Sequence, residues 1–412
     1  MVSYTYAPLL KKVMAALMSA SALLGMASCG SDGSSQSSFI VGGLFPETGS
    51  LSYFGPPEIA AFTLAINDIN SAGGVLGNKV KSVKADVNDA DHADQNISGT
   101  ESVLSRNPSV IVGNPSSGVV KNTYKTIASA QVPMISVGAT ATSLSGISPY
   151  FFRTVPPDSV QGTVLANTIV QNGVSKLAIA VFNDEAGNGI RDVVVKNVEK
   201  NGVDVVYGEK DSFDPTETNF DSLSTTIKAT NPDAVLVIAF DQTVALVKDL
   251  VAAGIDSKTL YFFDGNTTDY SSKFEKNLLK GDQGTIPGAH ASAEFQARLK
   301  SITPSLTSFT YSAETYDAVV LAALAAQKGG GTSGKTIRDN LSKVSVSSGE
   351  KCTTYKKCLS LMKAGKKILY QGQSGVGPFN SKNDPSSAYI GVYRFDSNNK
   401  PVFDHSEKGR PE

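Results

Sequence analysis

The chain has no tryptophan, and only three cysteines and three histidines in 412 residues. His92, His290 and His405 lie far apart with no motif around them, which leaves little basis for a histidine-centred metal or acid–base site. There is no Gly-x-Ser-x-Gly elbow, no Walker loop, no His-Glu-x-x-His and no Cys–His pair. Nucleophilic, nucleotide and zinc chemistry therefore have no carrier, and the chain reads as a non-enzyme without a cofactor. An excess of one charge is also missing: 37 basic residues face 38 acidic ones, for a net charge of −1. With no basic aromatic cluster, no nucleic-acid partner is expected. Long apolar runs are absent too, apart from Val13 to Met26, which is too short for an ordinary membrane span.

That run follows Lys11-Lys12 and ends in Met26-Ala27-Ser28-Cys29. A basic start, a short apolar stretch and small residues at its end predict a signal peptide over residues 1–28. Small residues ahead of a lone cysteine resemble a bacterial lipoprotein cleavage box. The resemblance implies that Cys29 becomes a lipidated N-terminus held at a membrane. The alternative is an ordinary signal peptide cut nearby. Residues 29–38, half of them serine, then read as a flexible tether. In an exported chain, Cys352 and Cys358 read as a disulfide closing a small loop. A metal would need a further ligand, and no histidine or third cysteine lies near them, so no metal site is expected.

What is present is a βα rhythm. Phe39 to Leu44 is a short apolar run of strand length. A loop punctuated by Pro46, Gly49, Gly55, Pro56 and Pro57 follows. Ile59, Phe62, Ala65, Ile66 and Ile69 then fall on one helical face. Gly73-Gly74 and Gly77 end that helix, and a second strand runs to Asp86. A β-loop-α-β opening predicts a parallel sheet, with ligands at the carboxyl ends of its strands. At 412 residues, two domains are expected rather than one. Asp86 to Asp94 is acidic. Its spacing does not fit an EF-hand, so it reads as a strand end and helix start where aspartates cap free amides.

Pro46, Thr48-Gly49, Phe54-Gly55, the run Ala65 to Gly74 and Leu76-Gly77-Asn78 together resemble the opening of the periplasmic branched-chain amino-acid-binding protein family. These are the solute receptors of ABC importers. The resemblance implies a type I periplasmic-binding fold: α/β, with two Rossmann-like lobes of parallel sheet joined by three hinge crossings. Residues 39–155 and 288–376 would form the first lobe, and 156–287 and 377–412 the second. The crossings would fall near Pro156, within a loop at Gly281 to Gly288, and at Gly375 to Phe379. The tail from Asp404 reads as polar and loose.

Two loops follow strands of the first lobe: Asn114-Pro115-Ser116-Ser117-Gly118, and Gly138-Ala139-Thr140-Ala141-Thr142. Hydroxyls and free amides at such strand ends suit a carboxylate, although Ser116 and Thr140 could simply cap helices. The resemblance implies that Ser117 and Thr140 bind the ligand α-carboxylate by hydroxyl and amide, that Gly138 gives the ligand a carbonyl or amide, that Ala139 belongs to the same ligand-binding loop, and that Phe54 walls the pocket. In the second lobe, Ala186 stands where the family usually has tyrosine, which takes away an aromatic wall. Phe240 follows a strand end where the family often has an aromatic residue. Asp264 stands at the family's acid that pairs with the ligand ammonium, although Asp-Gly is also a common turn pair. What the resemblance implies overall is an extracytoplasmic, lipid-anchored receptor for a small amino acid or related ligand, working with an ABC permease and ATPase. A ligand-sensing subunit of the same fold is the alternative.

Overall fold

Ile40–Phe45 (β1) pairs in parallel with Lys81–Asp86 (β2) on one side and Val110–Gly113 (β3) on the other. Met134–Ser136 (β4) and Phe151–Arg153 (β5) complete a five-stranded parallel sheet, ordered β2-β1-β3-β4-β5. Helices Gly55–Ser71 (α1), Ala93–Leu104 (α2) and Ser117–Ser129 (α3) make the crossovers. Val41, Phe45, Val110 and Val112 enter one core, and Leu44 and Ile111 enter another. A sheet covered on both faces needs continuous apolar strands, which is why these runs read as buried in the sequence. The register aligns Leu44 with Gly113 and Gly113 with Ser136. The loops after β1, β3 and β4 therefore leave the same edge. The computed structural model describes residues 1–2 and 38–411. The signal peptide from its third residue, Cys29 and nearly all of the tether lie outside the described residues.

Asp158–Gln171 (α4) leads from β5 to a second sheet. Lys176–Val181 (β6), Asp204–Tyr207 (β7), Ala234–Ile238 (β8), Leu260–Phe262 (β9) and Gln283–Pro287 (β10) pair in parallel. Glu185–Lys200 (α5), Asp221–Ala229 (α6) and Thr243–Ala252 (α7) link them. After β10 the chain returns to the first core through Ala293–Ile302 (α8), Ser312–Gly329 (α9) and Gly334–Leu341 (α10), which contribute Phe295, Val319 and Ile337 there. Glu350–Cys352 (β11) and Ile368–Tyr370 (β12) form a parallel pair around Tyr355–Lys363 (α11). A disulfide between Cys352 and Cys358 ties β11 to α11. A last passage reaches Ala388–Phe395 (β13) and Pro401–Gly409 (β14), both antiparallel, and the order becomes β14-β13-β10-β9-β8-β6-β7. This is the expected α/β class with parallel sheets. Among the described residues, no helix is long and apolar enough to cross a membrane.

Two expectations need correction. The stretch Gly281 to Gly288 is mostly not loop: Gln283–Pro287 is a fully buried strand between β9 and β13. Its glycine and proline read as punctuation, but Pro287 is the last strand residue, where a missing amide costs little. The tail is not loose up to Gly409, because β14 pairs along β13. Ladder hydrogen bonds hold it, and an exposed edge needs no apolar pattern. Helix α5 starts at Glu185, where the Asp184 carboxylate accepts the Ala186 amide at 2.7 Å.

Asp317 of α9 fixes the start of the last passage. Its carboxylate accepts the amides of Gln373 and Ser374 (2.9 Å each), the Ser374 hydroxyl (2.6 Å) and the Tyr370 hydroxyl (2.7 Å). Those donors satisfy a carboxylate that is wholly buried.

Candidate functional site

The loop after β4 is shaped by Arg153, whose side chain is fully buried at the end of β5. Its Nη1 donates to the carbonyls of Ala139 and Ala141, 3.0 Å each, and its Nη2 donates to Ser145 Oγ at 2.6 Å. Its Nε donates to Asp384 at 2.6 Å. The carbonyls on either side of Thr140 are thus turned toward Arg153. The Ala141 amide donates to Ser117 Oγ at 3.1 Å, so the two hydroxyl-rich loops are joined directly. Ser116 caps α3 by accepting the Val119 amide at 3.3 Å. Thr140 caps nothing: its carbonyl accepts the Asp158 amide at 2.8 Å, and its hydroxyl lies beside the Asp158 carboxylate.

Asp264, 6% exposed, sits in a short 3-10 turn after β9. Gln161 Nε2 donates to one carboxylate oxygen at 2.8 Å, and the Tyr311 hydroxyl donates to the other. Burial pushes its pKa up, and these two donors pull it down. Tyr311, just before α9, is buried at φ +58°, an uncommon conformation for a bulky residue. Its ring lies against the loop after β4. A Cβ on Gly138 would come within 2.9 Å of the ring and 2.8 Å of Pro115 Cβ, so only glycine fits there. The Phe54 ring meets Tyr311 edge-on at 5.0 Å. The neighbouring Tyr53 hydroxyl donates to the Gly265 carbonyl.

Gly138, Thr140, Phe54 and Asp264 thus converge around Tyr311 and Asp158, and Ser117 is linked through Ala141. Ala139 is buried, with its carbonyl given to Arg153. Phe240 packs with Phe182 at 4.6 Å and Phe263 at 5.9 Å, and its ring presses on Gly265. Ala186 is buried on α5, and the nearby apolar wall is built by Phe182, Phe240 and Phe263 instead. Burial pushes Asp184, at the start of α5, up to about 6.

Three acceptors in this group lack a well-formed hydrogen bond: both Asp158 oxygens and Gln161 Oε1. Burial and the charge of Asp264 push Asp158 up to about 8, although the Thr140 hydroxyl and Arg153 favour its ionised form. Arg153 neutralises little here, since its direct partner is Asp384. Buried acceptors without donors mark a place where a donor-rich group would fit.

The sequence reading missed Tyr311, Gln161, Asp158 and Arg153. Asp158 and Gln161 open α4 in the segment Pro-Asp-Ser-Val-Gln, which reads as a hinge and helix start. No local signal gives Tyr311 its role. The acidic run after β2 ties down the loop after β1: Asp86 accepts the Glu47 amide at 2.9 Å, and Asp89 accepts the Ser50 amide at 3.0 Å. Among the described residues, no three or more His, Cys, Asp or Glu side chains group as metal ligands would.

Residues 39–356 match the sequence pattern of the periplasmic binding protein family. The Leu/Ile/Val-binding protein BraC3 of Rhizobium johnstonii is 30% identical over 199 residues, 47% of this chain and 53% of that protein. A leucine-, isoleucine-, valine-, threonine- and alanine-binding protein of Pseudomonas aeruginosa is 28% identical over 52% of this chain and 57% of its own length. The chain thus spans about half the length of the curated relatives it matches. Among solved structures, the branched-chain amino acid transporter substrate-binding protein LivJ of Streptococcus pneumoniae, in complex with isoleucine, superposes with a TM-score of 0.75. It is 22% identical and covers 91% of this chain and 100% of its own. An ABC transporter solute-binding protein of R. palustris in complex with 4-hydroxybenzoate has a TM-score of 0.70 at 18% identity, over 91% of this chain and 97% of its own. With its doubly covered parallel sheets and a matching pattern that runs through most of its length, the chain belongs to the periplasmic binding protein family.

Proposed function

We propose that this chain is the extracytoplasmic solute-binding component of an ABC importer, and that it closes two lobes around a small amino acid or close relative. The observation that carries this is the meeting of the Gly138–Thr140 loop with Asp264 around Tyr311, together with the unpaired acceptors of Asp158 and Gln161. An α-ammonium brings three donors and a positive charge to those acceptors. The hydroxyls of Ser117 and Thr140 and nearby amides would take the α-carboxylate. Closure is favoured because the ligand binds the closed form better than the open one. The curated relatives named for leucine, isoleucine and valine binding support this class.

A ligand with a carboxylate and no ammonium, such as a benzoate, would meet Asp264 and Asp158 with no positive charge to offer. A thermal-shift panel of amino acids, small amides and benzoates separates these classes, since a binder raises apparent stability by mass action. Asp264→Ala should weaken an amino-acid binder by roughly tenfold or more in calorimetry, because the ammonium loses its charged partner. Unchanged affinity would remove Asp264 from the site. Lipid on Cys29 would keep the receptor at the membrane; blocking lipoprotein processing in cells should then leave a longer precursor, and no size change would argue against the anchor.

A further inference from the structure

Beside the passage from β10 to α8 lies a cavity of about 600 Å³ that touches the ligand site only through Tyr311. Its size is that of a small-molecule pocket. Glu314, in the first turn of α9, lines it and is 3% exposed. Glu314 Oε1 has no hydrogen-bond partner among the described residues. The carboxylate lies so close to Gly288 that a Cβ there would come within 1.9 Å of Oε1. Glycine at φ +99° thus leaves room for a carboxylate at the cavity wall.

The other walls are aromatic. His290 stacks on Phe403 with centroids 4.4 Å apart, and His290 Nδ1 lies 3.3 Å from the Tyr393 hydroxyl. Tyr393 meets Phe403 edge-on at 5.7 Å. Burial holds His290 below its usual pKa, so its imidazole is neutral near pH 7. The lysine at the rim, Lys400, is engaged with Asp269 at 3.1 Å. Glu314 forms no salt bridge with the described residues; burial, with the charge of Asp317, pushes its carboxyl up to about 8, and Glu58 of α1, another wholly buried acid, also lacks partners for its two oxygens.

We propose that this cavity, with Glu314 at its base and His290, Tyr393 and Phe403 as walls, is a second small-molecule site that takes an organic ammonium ion bearing an apolar group. An ammonium at the cavity wall favours the ionised form of Glu314, whose proton passes to solvent, and gains a charge-assisted hydrogen bond. The aromatic rings accept the apolar body and attract the cation through their faces. An anion of the same shape would find no such partner, since Lys400 at the rim is already engaged with Asp269. This site is independent of the amino-acid reading above.

The test is calorimetry on the processed protein with three probes of one shape: phenethylamine, phenethyl alcohol and phenylacetate. Phenethylamine should bind and the other two should bind at least about tenfold more weakly, the difference a charge-assisted bond makes. Glu314→Gln, nearly isosteric, should weaken phenethylamine by about tenfold or more, while Asp264→Asn should leave it unchanged. No binding of phenethylamine, equal binding by Glu314→Gln, or a loss confined to Asp264→Asn would overturn the proposal. If Glu314→Gln fails to fold, Phe403→Ala at the half-exposed rim serves instead. It should weaken the amine several-fold, and wild-type affinity would count against the site.

Discussion

Asp384→Ala is the sharpest test of how the loop after β4 is held. The Arg153 and Asp384 side chains are 0% and 2% exposed, and their Nε–Oδ1 contact is 2.6 Å. Removing the carboxylate leaves a guanidinium that cannot lose its proton and is shut off from bulk solvent. Its bonds to Ala139, Ala141 and Ser145 remain, but none carries a negative charge. Breaking a buried pair in this way costs about 3–5 kcal/mol. Against a total stability of about 5–15 kcal/mol, that is about a fifth of the fold or more. Urea unfolding of the ligand-free protein, followed by circular dichroism, should show the midpoint falling with little change in slope. The double variant Arg153→Met with Asp384→Leu should recover part of the loss, since no charge is left stranded. A loss under about 1 kcal/mol for Asp384→Ala would mean that water or a shifted side chain reaches Arg153, and the rigid support inferred for Thr140 would fall with it.

Other outcomes can be checked alongside. Tyr311→Phe removes one donor from Asp264 without removing the ring, so ligand affinity should fall by roughly tenfold while the ligand-free protein melts within about 1 kcal/mol of wild type; unchanged affinity would separate Tyr311 from the site. Replacing Cys352 and Cys358 by serine opens a loop of sequence separation 6. Loop entropy sets the expected loss at about 2 kcal/mol, seen equally on adding reductant, and no change would mean that the bridge does not form. Asp282 is 2% exposed and is pushed by burial from its ordinary 3.8 to about 9. The folded chain holds that proton where the unfolded chain releases it. Stability should therefore be fully present below about pH 4, decline as pH rises to about 9, and level off above. Asp282→Asn keeps the acceptor for the Leu260 amide, 3.1 Å away, and should flatten that decline in melts taken across the range. An unaltered slope would place the proton linkage elsewhere.

Strands β1, β3, β6 and β8 were legible because burial on both faces leaves continuous apolar runs, and no other element of that length looks the same. Strand β10, Gln-Gly-Thr-Ile-Pro, was not, because its neighbours in the sheet supply its stability rather than its own residues. Strand β14 was hidden for the opposite reason: an outer edge needs only backbone pairing. In the site, Ser117 and Thr140 could be placed because both follow parallel strands, and strand ends are where such folds gather groups. Arg153 could not, since the carboxylate it holds lies 231 residues further along the chain. Tyr311 escaped because its reach to Asp264, 47 residues away, depends on a backbone angle that no side chain announces.

The four donors gathered by Asp317 have a mechanical meaning. Residues Tyr370 to Ser374 are riveted to α9, so that end of the last passage travels as part of the first sheet's core. The Arg153–Asp384 pair, and the Asn383 side chain donating to the Phe151 carbonyl, hold the same passage to β5 as far as Asp384, so any rotation between the two sheets would have to be taken up in residues 385–387, just before β13. That stretch is short, and its place would be set by two aspartates, Asp317 and Asp384, rather than by the length of the connecting segment.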